Sequence, residues 1–274
     1  MPRKLSQAFM DCLHGGFLAA LRDAVAHDVD LNLEIRANYL NIYYKGNSLL
    51  KLTEISRARY NVTIHQKFSA GLGLPTDLVD EATTQAFVDA IPRLKHAIAL
   101  YGKRSLELEY EQLIIRANNA EPRNNSEYFI IDRQYSQKAG RFDLIGLHWP
   151  RAGRHRHQEV PLCLFEVKFA LNQEIAGLHR QLQGYYSTIE PKAAALAEEM
   201  QDVLLQKLDL GLFRLPPNRV EAMKTLRLSR DISQSQFVIL LVDYNPNSKQ
   251  KDLAALKALP FAHQIRLMET GFAM

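Results

Sequence analysis

Apolar residues recur at helical spacing near the start of the chain. Phe9, Leu13, Phe17, Ala20, Leu21 and Ala24 fall on one face and predict a single helix over residues 9–27. After Asp30 the pattern changes to that of strands. Residues 31–36, 39–44 and 48–55 read as extended, with the turn signal Gly46-Asn47 before the third. Residues 60–68 alternate and are rich in β-branched and aromatic types, which predicts a fourth strand. Gly71, Gly73 and Pro75 then break the chain, and a helix is expected over 77–100, with Pro92 as its point of interruption.

From Lys103 the order becomes helix, three strands, helix, and later another strand. Leu106, Tyr110, Leu113, Ile114 and Ala117 form one helical stripe, stopped by Asn118, Asn119 and Pro122. Strands are expected at 127–135, 141–149 and 161–170, then helices at 171–189 and 191–208. A further helix follows Pro216 and Pro217. Residues 237–244 are almost wholly apolar, as in a central strand buried on both faces. A helix over 252–259 and a strand over 263–274 close the chain. The pattern predicts an antiparallel, β-rich subdomain over residues 1–95 and an α/β domain over 96–274.

Composition narrows the class. Hydrophobic residues make up 47% of the chain and charged residues 23%, values of an ordinary globular protein rather than a disordered or fibrous one. Two cysteines, Cys12 and Cys163, are too few for a disulfide framework or a zinc knuckle. No apolar run approaches the roughly 18 residues of a membrane helix, and no signal-peptide pattern is present, so a cytoplasmic protein is expected. The net charge of +4 permits a nucleic-acid partner without demanding one. No glycine-rich phosphate loop is present, which argues against a nucleotide-driven motor or a dinucleotide site.

Candidate chemistry sits where charges interrupt the apolar strands. Asp143 stands in Arg141-Phe142-Asp143-Leu144-Ile145, and Glu166 and Lys168 stand two apart in Leu164-Phe165-Glu166-Val167-Lys168. Side chains two apart on a strand share a face, so Glu166 and Lys168 project together, and Asp143 joins them if the strands pair. Two carboxylates and a lysine suit a hard cation such as Mg²⁺ or Mn²⁺, with the lysine able to orient an attacking water. The plain alternative is a buried ion pair.

This series resembles the PD-(D/E)XK nuclease superfamily. Asp143 followed by Glu166-Val167-Lys168 matches its D…ExK signature. Gln181 and Tyr185, on the helix downstream, match the Gln-x-x-x-Tyr motif of the RecB-like branch. The resemblance spans residues 100–245 and implies a restriction-endonuclease-like core, a mixed central sheet flanked by helices. It implies a Mg²⁺-dependent nuclease, with Mn²⁺ as substitute, whose expected substrate is DNA rather than RNA, in repair, restriction or phage defence. Asp143, Glu166 and the Val167 carbonyl would hold the metal, Lys168 would orient the water, and Gln181 and Tyr185 would support the site. The superfamily also carries a glutamate on its first helix. Glu107, Glu109 and Glu111 are candidates, with Glu107 and Glu111 on the preferred side. Phe142 stands where the proline that names the family would be. The competing expectation is a non-catalytic nucleic-acid- or protein-binding module on the same architecture.

Charge distribution adds a nucleic-acid expectation. Arg133, Lys138, Arg141, Arg151, Arg154 and Arg156 face a single acid, Asp143, within residues 133–157, and are expected to draw phosphates toward the site. Residues 1–95 are nearly neutral, with 11 Lys and Arg against 10 Asp and Glu. That segment is expected to act as scaffold, as one wall of the cleft, or as the contact for a protein partner or a second copy in a homodimer, leaving weak nucleic-acid binding with residues 96–274. His155 and His157 lack a third ligand and read as surface residues. Tyr39, Tyr43 and Tyr44 read as ordinary cross-strand packing.

Overall fold

The computed structural model describes residues 2–121, 125–137, 140–152, 154–156, 158–169, 173–243 and 253–270. The chain opens with two helices where one is predicted, α1 (Gln7–Gly15) and α2 (Ala19–His27). The break falls at Gly15-Gly16, the weakest helix formers in the segment. A Cβ on Gly16 would stand 2.9 Å from the Cys12 backbone, so the close return of the chain needs the missing side chain. Ser6 caps α1 by accepting a hydrogen bond from the Phe9 amide.

An antiparallel meander follows: β1 (Leu31–Ile35), β2 (Tyr39–Tyr44), β3 (Asn47–Ser56), β4 (Arg59–Thr63) and β5 (Asp77–Leu78), paired in that order. The predicted strand over 60–68 ends at Thr63. His65 caps the short helix α3 (Gln66–Ser69), and Phe68 enters the core from there. Helix α4 (Glu81–Tyr101) begins later than predicted, behind an Asp80–Thr83 capping box, and runs through Pro92 unbroken. Pro92 lies on its exposed face, and the buried stripe Phe87, Ala90, Ile91, Leu94 and Ile98 holds the helix against its missing hydrogen bond.

Helix α5 (Leu106–Ile115) passes into a π-helical turn at Arg116–Ala120. Asn119, read from sequence only as a helix stop, bonds both backbone groups of Ile130 with its side chain. Strands β6 (Tyr128–Gln137) and β7 (Gly140–His148), the short β8 (Glu159–Val160), and β9 (Leu162–Phe169) come next. Helices α6 (Leu178–Ile189), α7 (Ala193–Asp209) and α8 (Pro217–Lys224) precede the short β10 (Arg227–Leu228). The chain ends with β11 (Gln236–Val242), a four-residue α9 (Ala254–Lys257) in place of the longer predicted helix, and β12 (Ile265–Thr270).

Among the described residues the second sheet has the order β12-β11-β9-β7-β6. Strands β6, β7 and β9 pair antiparallel, while β9, β11 and β12 pair parallel. Strand β11 is buried along its whole length, as its apolar run predicts. The fold is therefore mixed α/β, an antiparallel sheet and a mixed sheet flanked by helices. One apolar core runs from Leu5 to Phe261 and includes residues of both sheets. A smaller core gathers Ile115 of α5 with Leu144, Phe165, Val167 and Val238 on the other face of the mixed sheet. Among the described residues no helix is long and apolar enough to cross a membrane.

Candidate functional site

Strands β7 and β9 pair from Leu147↔Leu162 to Leu144↔Phe165, and there the ladder ends. Counting one step further sets Asp143 opposite Glu166. The Val167 amide, freed from strand pairing, donates to Asp143 Oδ2 at 2.8 Å. The strands thus part at the two carboxylates. Glu166 and Lys168 continue the face of Leu162 and Leu164. Helix α6 covers that face with Leu178, Leu182, Tyr185 and Ile189.

Glu166 is held by several donors. Lys168 Nζ donates to Glu166 Oε1 at 2.8 Å, and Gln181 Nε2 donates to the same oxygen at 2.7 Å. Gln181 Nε2 also lies 2.6 Å from the Tyr185 hydroxyl, which accepts from it. That hydroxyl donates to the Arg141 carbonyl at 2.8 Å and lies 3.3 Å from Glu166 Oε2. Gln181 and Tyr185, one turn apart on α6, therefore both meet Glu166, as i and i+4 residues of one helix face can. The Tyr185 ring needs a glycine beside it. Gly140 has φ +140°, and a Cβ there would stand 2.9 Å from the ring.

Of the first-helix candidates, Glu111 is the one that is buried. Arg133 Nη2 donates to its Oε2 at 2.9 Å and Gln134 Nε2 lies 3.2 Å from the same oxygen. Glu107, one turn earlier, is half-buried and enters no ion pair among the described residues.

Electrostatics tie the acids together. Burial pushes the Asp143 carboxyl up to about 8, the charges of Glu166 and Glu111 add to the shift, and the Val167 amide and Lys168 oppose it. Burial likewise raises Glu166, against Lys168, Gln181 and Tyr185, and raises Glu111, against Arg133 and Gln134. Among the described residues no three His, Cys, Asp or Glu side chains form a ready-made metal cage. Asp143 and Glu166 remain as a facing pair, with Glu111 acting through its charge.

The basic segment is placed differently from the sequence expectation. Loop 149–161 joins the His148 end of β7 to the Leu162 end of β9, whereas the carboxylates lie where these strands diverge at their opposite ends. Five steps along β7 separate Asp143 from His148, about 17 Å at strand rise. Arg154 is spent locally: its Nη2 donates to the Trp149 and Ser126 carbonyls, and its guanidinium stacks 4.5 Å from the Trp149 ring. Arg151 pairs with Glu127. Arg133, counted with this basic set, is fully buried against Glu111 and is a residue that sequence reasoning missed in this role. Lys138 and His157 lie outside the described residues.

No protein-family model, curated protein or solved structure matches this chain.

Proposed function

We propose that the chain is a divalent-metal-dependent nuclease of the PD-(D/E)XK kind that hydrolyses phosphodiester bonds, with DNA as the favoured substrate. One observation carries the reading: Asp143 and Glu166 face each other where β7 and β9 part, with Lys168 on Glu166 and Gln181 and Tyr185 closing the group. The donors fit a hard cation. They are carboxylate oxygens, and burial together with the charges of neighbouring carboxylates drives Asp143 toward its neutral form, a conflict that a cation relieves. Amide and carbonyl of one strand residue point to the same edge, so the Val167 carbonyl faces the gap that its amide enters.

Asp143, Glu166 and the Val167 carbonyl would hold Mg²⁺ or Mn²⁺. When bound, the cation supplies charge neutralisation at the phosphate and a more acidic water. The chain's own residues do the rest. Lys168 donates protons toward the carboxylate edge, where a nucleophilic water can be oriented. Gln181, itself bonded to the Tyr185 hydroxyl, and Lys168 fix Oε1 of Glu166, so its geometry is set before substrate arrives. The test is hydrolysis of single- and double-stranded DNA and RNA with Mg²⁺ or Mn²⁺. Activity should disappear in Asp143→Ala and fall at least about a hundredfold in Lys168→Ala, within the usual reach of acid–base groups. Absence of activity in the wild-type chain, or wild-type activity in both variants, sinks the reading.

A second reading, a non-catalytic binding module, rests on its own observation. Glu166 is already satisfied by Lys168 and Gln181, with no three-residue cage among the described residues. The two readings part on metal titration. A binding module shows no stabilisation by Mn²⁺ that depends on Asp143 and Glu166.

A further inference from the structure

Glu111 is held by two consecutive residues of one strand, and that is unusual. Successive side chains of a strand point to opposite faces, so Arg133 and Gln134 should not reach the same carboxylate. Two irregularities bring them there. A bulge between Ile130 and Asp132 shifts the register of β6 against β7, so that Asp132 bonds Arg36 of the N-terminal segment while Arg133 bonds α5. Gln134 then adopts φ +52°, a left-handed backbone that a non-glycine residue rarely takes, and its amide reaches Glu111. Counting along β6 and β7 places Gln134 opposite Asp143, between the pairs Arg133↔Leu144 and Tyr135↔Phe142. The strained residue thus neighbours the candidate metal ligand.

Arg133 is poorly satisfied for a buried arginine. Nη2 bonds Glu111, while Nε and Nη1 are buried with no hydrogen-bond partner. Its guanidinium lies 4.7 Å from the ring centroid of Tyr43 on β2. A half-satisfied buried ion pair contributes little to stability compared with apolar packing of the same volume, so stability does not account for it. Fixing the position of Glu111 does, because Gln134, which shares that carboxylate with Arg133, stands opposite Asp143. The β2–β3 hairpin is docked to the same helix. The Gly46 amide donates to Gln112 Oε1 at 2.9 Å, and Gln112 Nε2 donates to the Tyr43 carbonyl at 3.2 Å.

We infer that Arg133 and Gln134 are positioning residues that aim Glu111 at the metal site, and that the N-terminal sheet takes part in that site through Tyr43. This rests on the metal-dependent reading above. The experiment is Mn²⁺ titration of the full chain by calorimetry, beside denaturant unfolding of each variant. Gln134→Gly is the key substitution: glycine accepts φ +52°, so stability should hold or rise, while Mn²⁺ affinity falls about tenfold, as loss of an outer-shell partner does. Arg133→Lys and Tyr43→Ala should weaken Mn²⁺ binding in the same direction. Wild-type affinity in Gln134→Gly and Arg133→Lys, with none in Asp143→Ala, overturns the inference and leaves the nuclease reading standing. Failure of the wild-type chain to bind Mn²⁺ through Asp143 overturns both.

Discussion

With its carboxyl pushed up to about 8 by burial, Glu166 and Glu111, Asp143 keeps a proton in the folded chain at pH values where the unfolded chain has lost it. An unfolded aspartate titrates near 4, so between about pH 4 and pH 8 the folded state binds the extra proton. Stability without metal therefore falls as pH rises through that window. Glu166 and Glu111, also raised by burial, act in the same direction. Urea unfolding in chelator should give a free energy lower at pH 8 than at pH 6 by at least about 1.4 kcal/mol, the equivalent of one pKa unit. Asp143→Asn should flatten the slope. A profile that rises over this range, or one indifferent to that substitution, contradicts the assignment. At this scale much was legible. Strand alternation set Glu166 beside Lys168, and helical spacing set Gln181 beside Tyr185, because both are local rules of one element. Arg133 was not legible, since a bulge moved it to the side of β6 that meets α5.

Elements followed their periodicity except where glycine, proline or a connection intervened. Pro92 did not interrupt α4, because five buried apolar side chains hold the helix on its other side. The basic loop follows the end of β7 remote from Asp143, a consequence of antiparallel pairing that a linear charge count does not carry. The docking of the β2–β3 hairpin on α5 depends on one glycine. Gly46 has φ +71°, and a Cβ there would stand 2.6 Å from Leu108 Cβ. Gly46→Ala combines left-handed strain with a helix contact that cannot be kept. It should destabilise the chain by about 2 kcal/mol or more in urea unfolding. A loss below about 0.5 kcal/mol would show that the hairpin does not bear on α5 as described.

Across the whole molecule, residues 1–95 are joined to the rest by buried charge. Arg3 and Arg36 both bond Asp132, and Lys207 bonds Glu34 at 2.7 Å, all with little solvent access. Helix α4 crosses residue 95 without a break, and the main apolar core spans both sheets. Residues 96–274 alone would lose the core side chains that residues 1–95 supply and leave Asp132 and Lys207 without these partners. We expect that fragment to lack a cooperative unfolding transition, so the nucleic-acid binding expected of it is to be measured on the full chain. Within the full chain, Arg36→Ala strips Asp132 of one buried partner and should lower stability by about 3–5 kcal/mol in denaturant unfolding. By itself the sequence determined the element types, the buried central strand and the Asp143, Glu166, Lys168, Gln181 and Tyr185 series, because hydrophobic period and residue spacing act over a few neighbours. The tertiary structure alone decided that Glu111 rather than Glu107 is buried, that Arg133 turns inward to pair with it, that the basic loop lies at the end of β7 remote from Asp143, and that Tyr43 of the N-terminal sheet packs on Arg133. Those outcomes depend on contacts between residues far apart in the chain, on one bulge and on one left-handed backbone angle, none of which leaves a periodic trace in the sequence.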